Sequence, residues 1–292
     1  MSSRAPAWFE QKYITGAIHK LQDSGYRLRG TTTDSDTIIG KTVTWKIAGK
    51  GEATEMSGSI EERPVMNADR QTVDGTMKDY EANEWINRVD LNKMSESEQQ
   101  VAQETAAMAM GRRFDKNIMR VMDAAGSDIT TIGNGSAPMD ITHPMEASAT
   151  ILAQGYAAMP EIYMPIPQMV MLQLELYKQF SSADYVGTQP MMKLLGARTY
   201  KGVTYIPLPN EMFNVPSSGQ FDTYVYQKAA VGHVPNMALE SRIDYVPTKK
   251  AWFAGNTVAS AEAVLLPEGI RRMRFQLPTS LEIPAELVQS AS

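Results

Sequence analysis

The sequence predicts an α+β protein. A strand of period two opens the patterned part of the chain, a long capped helix follows, and the remainder alternates helices with strands. The strand lies in KTVTWKIAG, where Val43, Trp45 and Ile47 alternate with Thr42, Thr44 and Lys46, the spacing of a half-buried strand. It runs on into GEATEMSGSIEE, Gly51 to Glu62, which is polar and glycine-containing and brings almost nothing apolar to hold it on a core. A return segment, RQTVDGTMKDY, sets Val73 and Met77 against Thr72, Asp74 and Thr76. The two strands predict a long hairpin. An isolated hairpin is marginal in water, so this one must lean on something outside itself.

The helix begins at Ser95. Ser95 and Glu98 form a capping box, and Glu96 and Glu98 sit in the first turn, where the helix dipole favours anions. Ala107, Gly111, Phe114, Ile118, Val121 and Ala125 recur at intervals of three and four, and Gly126 supplies the stop. A helix of about thirty residues would be roughly 45 Å long. Before the strand, residues 1–38 read as a polar arm; only Phe9, Ile14, Ile18 and Leu21 have helical spacing.

After the turn-rich GSDITTIGNGSAP, the stretch HPMEASATILAQGYAAMP predicts a helix with Met145, Ala149, Leu152 and Tyr156 in register. EIYMPIPQMVMLQLELYKQF predicts a short strand leading into a helix, because Pro165 and Pro167 suit a helix entry and not its interior. KGVTYIPLPN, FDTYVYQKAAVGHV and LESRIDYVPTKKAWFAG read as strands, AEAVLLPEGIRRMRF as the last structured element, and the chain from about Gln276 as a polar tail.

Composition narrows the function classes. At 292 residues, 43% hydrophobic and 21% charged, the chain can bury a real core, and wholesale disorder is excluded. The net charge of -5 comes with no polybasic stripe, so any contact with nucleic acid should be loose. Without cysteine there is neither a disulfide nor a thiolate site, and His19, His143 and His233 are too far apart for a paired zinc site. No run approaches the roughly eighteen apolar residues of a membrane span, which leads us to expect a soluble intracellular chain.

No catalytic, cofactor or metal site is expected. GNGSAP lacks the spacing of a dinucleotide fold and reads as a turn; no phosphate-binding GxxxxGK[ST] occurs. His143 reads as a surface or helix N-terminal histidine, and Glu61, Glu62, Asp115 and Asp123 as members of solvated faces. Glu52 and Glu55 could meet a cation but lack the calcium-loop pattern. The twenty methionines read as gap-fillers in cores and interfaces. Lys249 and Lys250, with Arg271, Arg272 and Arg274, are the densest basic spots, suited to a phosphate backbone or to salt bridges between subunits.

The order of these parts, from polar arm through unsupported hairpin, capped helix and mixed region to the closing LLPEGIRRMRF, resembles the major capsid protein of tailed bacteriophages. That is the fold first known from a Hong Kong phage and shared with encapsulin shells. RQTVDGTMKDYEANEWINRVDLNKMSESEQQVAQETAAMAMGRRFDKNIMRVM is similar to the loop return and spine-helix entry of such coats, and TYVYQKAAVGHV with IDYVPTKKAWFAGNTVASAEAVLLPEGIRRM to their closing segments. The resemblance implies an N-terminal arm over 1–38, an extended hairpin loop over 39–80, and a peripheral domain over 81–143 with its spine helix at about 95–125. It implies further an axial domain over 144–240 and a return to the peripheral domain with the tail over 241–292.

It also implies a non-enzymatic protein that self-assembles into pentamers and hexamers of an icosahedral shell around phage double-stranded DNA, located in the virion and assembled in the host cytoplasm. The implied partners are further copies of the chain, a separate scaffolding protein, a portal and weakly held DNA. On this reading another copy of the chain supplies the hairpin's missing core, with Val43, Trp45, Ile47, Lys46, Lys50, Glu52 and Glu55 as inter-subunit contacts. Crosslinking in the founding member needs a loop lysine, a neighbour's asparagine and a glutamate. Lys41, Lys46 and Lys50 lie near the loop but the other partners have no match, so crosslinking is not carried over. The hairpin's start near Lys41 and the presence of Met1 lead us to expect no fused scaffolding segment and no N-terminal processing. An encapsulin-type compartment, or a soluble α/β enzyme or ligand-binding protein, stays open as an alternative.

Overall fold

The computed structural model describes residues 25–35, 37–51, 53, 55, 69–87, 97–155, 161–177, 196–235 and 240–281. The first strands are β1 (Ile38–Ile39), β2 (Thr42–Ala48), β3 (Arg70–Thr76), β4 (Lys78–Glu81) and β5 (Glu84–Asn87). Next come helix α1 (Ser97–Ala124), β6 (Thr130–Ile132), α2 (Thr142–Leu152), β7 (Ile162–Pro167) and α3 (Gln168–Glu175). The chain continues through β8 (Arg198–Tyr200), β9 (Val203–Leu208), β10 (Gln220–Gln227) and β11 (Val231–Pro235). It closes with β12 (Glu240–Val246), β13 (Ala251–Val264) and β14 (Ile270–Gln276).

The expected hairpin forms: β2 and β3 pair antiparallel with Val43 opposite Gly75 and Trp45 opposite Val73, and β1 extends them to a three-stranded sheet. Its support comes from within the chain. Val43 and Trp45 are buried with Met77, Val234, Ala259, Ala261, Ala263 and Leu265, and Ile47 and Val73 pack on the same cluster. This corrects the expectation that another copy covers Val43 and Trp45; Ile47 is half-buried. The physical reason is β13, a 14-residue strand whose alanines bring its backbone close enough for a large indole to lie across it. Alanine is a poor strand former in isolation, and tertiary contact overrides that preference.

Trp45 sits in a slot built by missing side chains. A Cβ at Gly232 would lie 2.6 Å from the indole and one at Gly75 2.7 Å from it, so both positions need glycine to admit the ring. The indole Nε1 donates to the Thr33 carbonyl at 3.4 Å.

The other face of β13 meets α1, where Val258 packs with Met110 and Phe114. The helix has the expected length and stop, while Ser95 of the capping box lies outside the described residues. Its buried positions among those described are Ala106, Met110, Gly111, Phe114, Asp115, Asn117, Ile118, Met119 and Met122. Of the expected stripe, Gly111, Phe114 and Ile118 are buried and Val121 and Ala125 pack on the core, while Ala107 is exposed. Between residues 114 and 119 the helix is covered on more than one side, and a single apolar stripe does not describe it.

The six-stranded sheet runs in the order β6-β14-β10-β7-β9-β8, with β7/β9 and β14/β6 parallel and the remaining pairs antiparallel. It carries the main core, including Met164, Ile166, Tyr205, Phe221, Tyr224 and Tyr226 with Ile118 and Met122 of α1. Because β6 and β14 belong to it, this sheet draws on chain outside 144–240. The strand-to-helix transition at Pro167 forms as expected. In α2 the buried residues are Pro144, Ala147, Ser148 and Ile151, whereas the expected Ala149 and Leu152 are exposed.

The five-stranded sheet consists of β11-β13-β12 with β4 and β5 also paired to β13. Four of the five basic residues singled out have partners inside the chain. Arg274 pairs with Asp222 through two hydrogen bonds of 2.7 and 2.8 Å, and Arg272 reaches the Asp123 carbonyl and Tyr224 hydroxyl. Arg271 binds the carbonyls of Glu268 and Ile270, and Lys249 lies 4.1 Å over the Trp85 ring.

Trp45→Ala should destabilise the subunit by about 3–5 kcal/mol, the usual cost of truncating a buried aromatic, read from urea unfolding. Gly232→Val should be strongly destabilising alone but add far less in a Trp45→Ala background, since the clashing ring is gone; additive effects in that cycle would contradict the slot.

Candidate functional site

The residues singled out on the hairpin divide into two groups. Val43 and Trp45 are buried, and Ile47 is half-buried, at a root fixed to the body of the chain. Lys46, Lys50 and Glu55 are exposed, and Glu52 lies outside the described residues. Lys50 donates its ammonium to the Gln154 carbonyl at 2.8 Å, tying the start of the polar excursion to the end of α2. Gly49 closes the ladder by donating its N–H to the Asp69 carbonyl at 2.5 Å. Between root and body runs a cleft of about 630 Å³ whose lining includes Asp34, Trp45, Lys46, Ile47, Leu265 and Leu266.

A strap of residues 25–35 locks the root in place. Sequence reading placed this stretch at the end of a polar arm, yet Leu28, Thr31 and Thr32 are buried. The strap is held by hydrogen bonds to distant partners. Tyr26 N–H donates to the Gly111 carbonyl of α1, and Thr33 N–H to the Val231 carbonyl of β11. Thr31 and Tyr226 hydroxyls lie 2.7 Å apart, and Arg27 donates to the Pro207 carbonyl at 2.8 Å. Asp115 accepts the backbone N–H groups of Arg27 and Leu28, each at 3.0 Å.

Asp115 is therefore fully buried and structural, a correction to the solvated face expected for it. Asp123 is corrected likewise: it accepts a short hydrogen bond from the Tyr224 hydroxyl. Burial pushes the Asp123 carboxyl above its usual range against the opposing effects of Tyr224 and Arg272. Glu61 and Glu62 lie outside the described residues.

A second polar cluster joins α1 to the strands. Glu262 on β13 accepts from Ser260 at 2.5 Å and from Asn117 of α1 at 3.3 Å, and His233 Nδ1 of β11 lies 3.3 Å from the same oxygen. The imidazole is walled by Phe114 and Tyr26, with ring centroids 5.5 and 5.9 Å away. Burial pushes the Glu262 carboxyl up, but His233, Ser260 and Asn117 together outweigh it and hold the group below its ordinary value.

These arrangements are structural, not chemical. His143 accepts the Asp140 N–H at 3.0 Å and stacks on Phe275, which is the helix N-terminal role expected of it. Among the described residues no group of three or more His, Asp or Glu could hold a metal ion, and no helix is long and apolar enough to cross a membrane. Sequence reasoning missed the slot glycines, the Asp115 anchor and the docking face of β13. The face had a usable signal: in VASAEAV, alanines at 259, 261 and 263 take every second place, marking a strand with one small, smooth face.

Asp115→Ala should leave two buried N–H groups unpaired and cost about 1–3 kcal/mol for each, with Asp115→Asn, which keeps one acceptor, between it and the parent. Urea unfolding measures the cost, and tryptic cleavage at Arg27 and Arg29 should accelerate in the same order.

A family model for phage capsid protein matches residues 5–276. No curated protein matches the sequence. Among solved structures, the capsid of Ralstonia phage GP4 aligns with a TM-score of 0.66 at 8% identity, over 90% of this chain and 93% of that one. The capsid of cyanophage P-SCSP1u aligns at 0.64 and 13% identity, over 90% and 92%. The cyanophage Pam1 capsid aligns at 0.64 and 11% identity, over 95% and 98%. At such identities the likeness speaks for a shared α+β capsid fold, while the family match spans nearly the whole sequence. The chain belongs to the phage capsid protein family.

Proposed function

We propose that this chain is the major capsid protein of a tailed phage, a structural and non-enzymatic protein of the virion. Its copies join head to tail into pentamers and hexamers that tile an icosahedral shell around double-stranded DNA. The observation that carries this reading is the contrast along the hairpin. Its root is packed into the chain's own core, and from Gly49 onward it continues into a segment with no apolar residues enough to cover it. A segment of that composition gains its partners from a neighbouring subunit. We assign the inter-subunit contacts to Lys46, on the exposed side of the root, and to Lys50, Glu52 and Glu55 beyond it.

Within this reading, 1–38 is the arm, 39–80 the extended loop, 81–143 and 241–292 the peripheral domain and its return, and 144–240 the axial domain. The arm's last residues are anchored as the strap. Many weak loop contacts, each reversible, add up through multivalency and let errors anneal during closure. A scaffolding protein and a portal are the further partners. Contact with DNA is weak, because the net charge is -5 and Arg271, Arg272 and Arg274 are engaged within the chain.

Deletion of Gly51 to Glu62 should leave a subunit with near-parental thermal unfolding that makes no closed shells. Size-exclusion chromatography with negative-stain electron microscopy reads both; normal shells from the deletion would overturn the loop assignment.

A further inference from the structure

The cluster around Glu262 is built unlike a passive core contact. Ser260, Glu262 and His233 are 0%, 8% and 3% exposed at the residue or side chain level, and one Glu262 oxygen is met by Ser260 of its own strand, by Asn117 of α1 and by His233 of β11. His233 meets Glu262 as a close ion-pair contact, and neither imidazole nitrogen has an aligned hydrogen-bond partner among the described residues. The joint therefore holds α1, β11 and β13 together, and through the Tyr26 and Phe114 rings it also touches the strap.

Two adjacent buried titratable groups share their protons, so the pair and not either residue is the titrating unit. With no proton it is net negative, stabilised by the hydrogen bonds from Ser260 and Asn117. With one proton shared between the two it is net neutral, and burial favours net neutrality over either net charge. A second proton, neutralising Glu262, leaves a buried imidazolium without a counter-ion, an arrangement that low-dielectric surroundings strongly disfavour. The other charged or titratable groups nearby do not replace Glu262. On the strap, Arg29 lies over the Tyr26 ring, and Asp34 and Asp115 act on Tyr26. On α1, Asp115 is committed to the strap amides and Arg113 stacks on Tyr80. On β4, Lys78 is opposite Ser260 but exposed.

We propose that His233 and Glu262 form a proton-operated joint, closed while they hold at most one proton between them and opened by the second, which frees the strap and α1 from the five-stranded sheet. The sign follows from the carboxylate. Its folded-state value is depressed, so its stabilisation is complete above the unfolded carboxylate value and is lost as pH falls through the folded one. The opening is local, because the core of the six-stranded sheet contains neither group. It stands independently of shell assembly, since every partner lies in one chain.

The test is amide hydrogen exchange of the full chain against pH, reading the Thr33 and His233 amides, which bridge the strap and β11, relative to β10 residues 224–227 in the same sample. In the parent, protection of these two amides should fall selectively in acid below the ordinary carboxylate range. In Glu262→Gln the first proton on His233 already lacks a counter-ion, so the midpoint should move up by about 1–3 pH units, the shift a close opposite charge produces. In His233→Gln no imidazolium forms, and the selective acid loss should shrink toward the β10 baseline. A uniform loss of protection in Glu262→Gln with an unmoved midpoint would overturn the joint, as would a parental acid loss in His233→Gln. The second variant decides the matter if the first fails to fold.

Discussion

The structure depends on the two faces of β13. One face, smoothed by Ala259, Ala261 and Ala263, receives Val43 and Trp45 of the hairpin. The other presents Val258, Ser260 and Glu262 to α1. Strand alternation makes this division obligatory, since successive side chains point to opposite sides. A single strand thus decides both where the extended hairpin leaves the body and how the long helix lies across it. β12, β11, β4 and β5 all pair with β13, so the sheet is organised around the same element.

Rigidity at the root gives the function its form. A loop that swung freely from β2 and β3 would lose conformational entropy on every contact with a neighbour. Here the slot between Gly75 and Gly232, and the strap that binds Thr33 to β11, fix the exit direction before any neighbour arrives. Past Gly49, where the ladder closes, charged and glycine residues take over; on the proposed reading their polar contacts with a neighbour suit a shell that must assemble reversibly and then hold.

Much of this was legible in the residues. The alternation of Val43, Trp45 and Ile47 located β2, and the stop at Gly126 located the end of α1. Pro165 and Pro167 pointed to a strand-to-helix entry because proline is excluded from a helix interior but tolerated at its start. What was not legible is tertiary. The period of two shows that one face of β2 is buried but not against what, and the partner strand lies more than two hundred residues away in sequence. Asp115 reads as a helix-surface charge because nothing local reveals the strap amides that it accepts. The register errors on α1 and α2, at Ala107, Ala149 and Leu152, have a similar origin: alanine-rich helices offer several stripes of nearly equal apolarity, and packing chooses among them.

The central claim is that each subunit seats the apolar face of its own hairpin root and offers the exposed polar residues on and beyond it to a neighbour. Electron cryo-microscopy of the assembled shell tests this directly. The account predicts the Trp45 indole between Gly75 and Gly232 of the same chain, with the chain from Gly51 to Glu62 lying on an adjacent subunit. A shell in which Trp45 fills the slot of a neighbouring chain would contradict it.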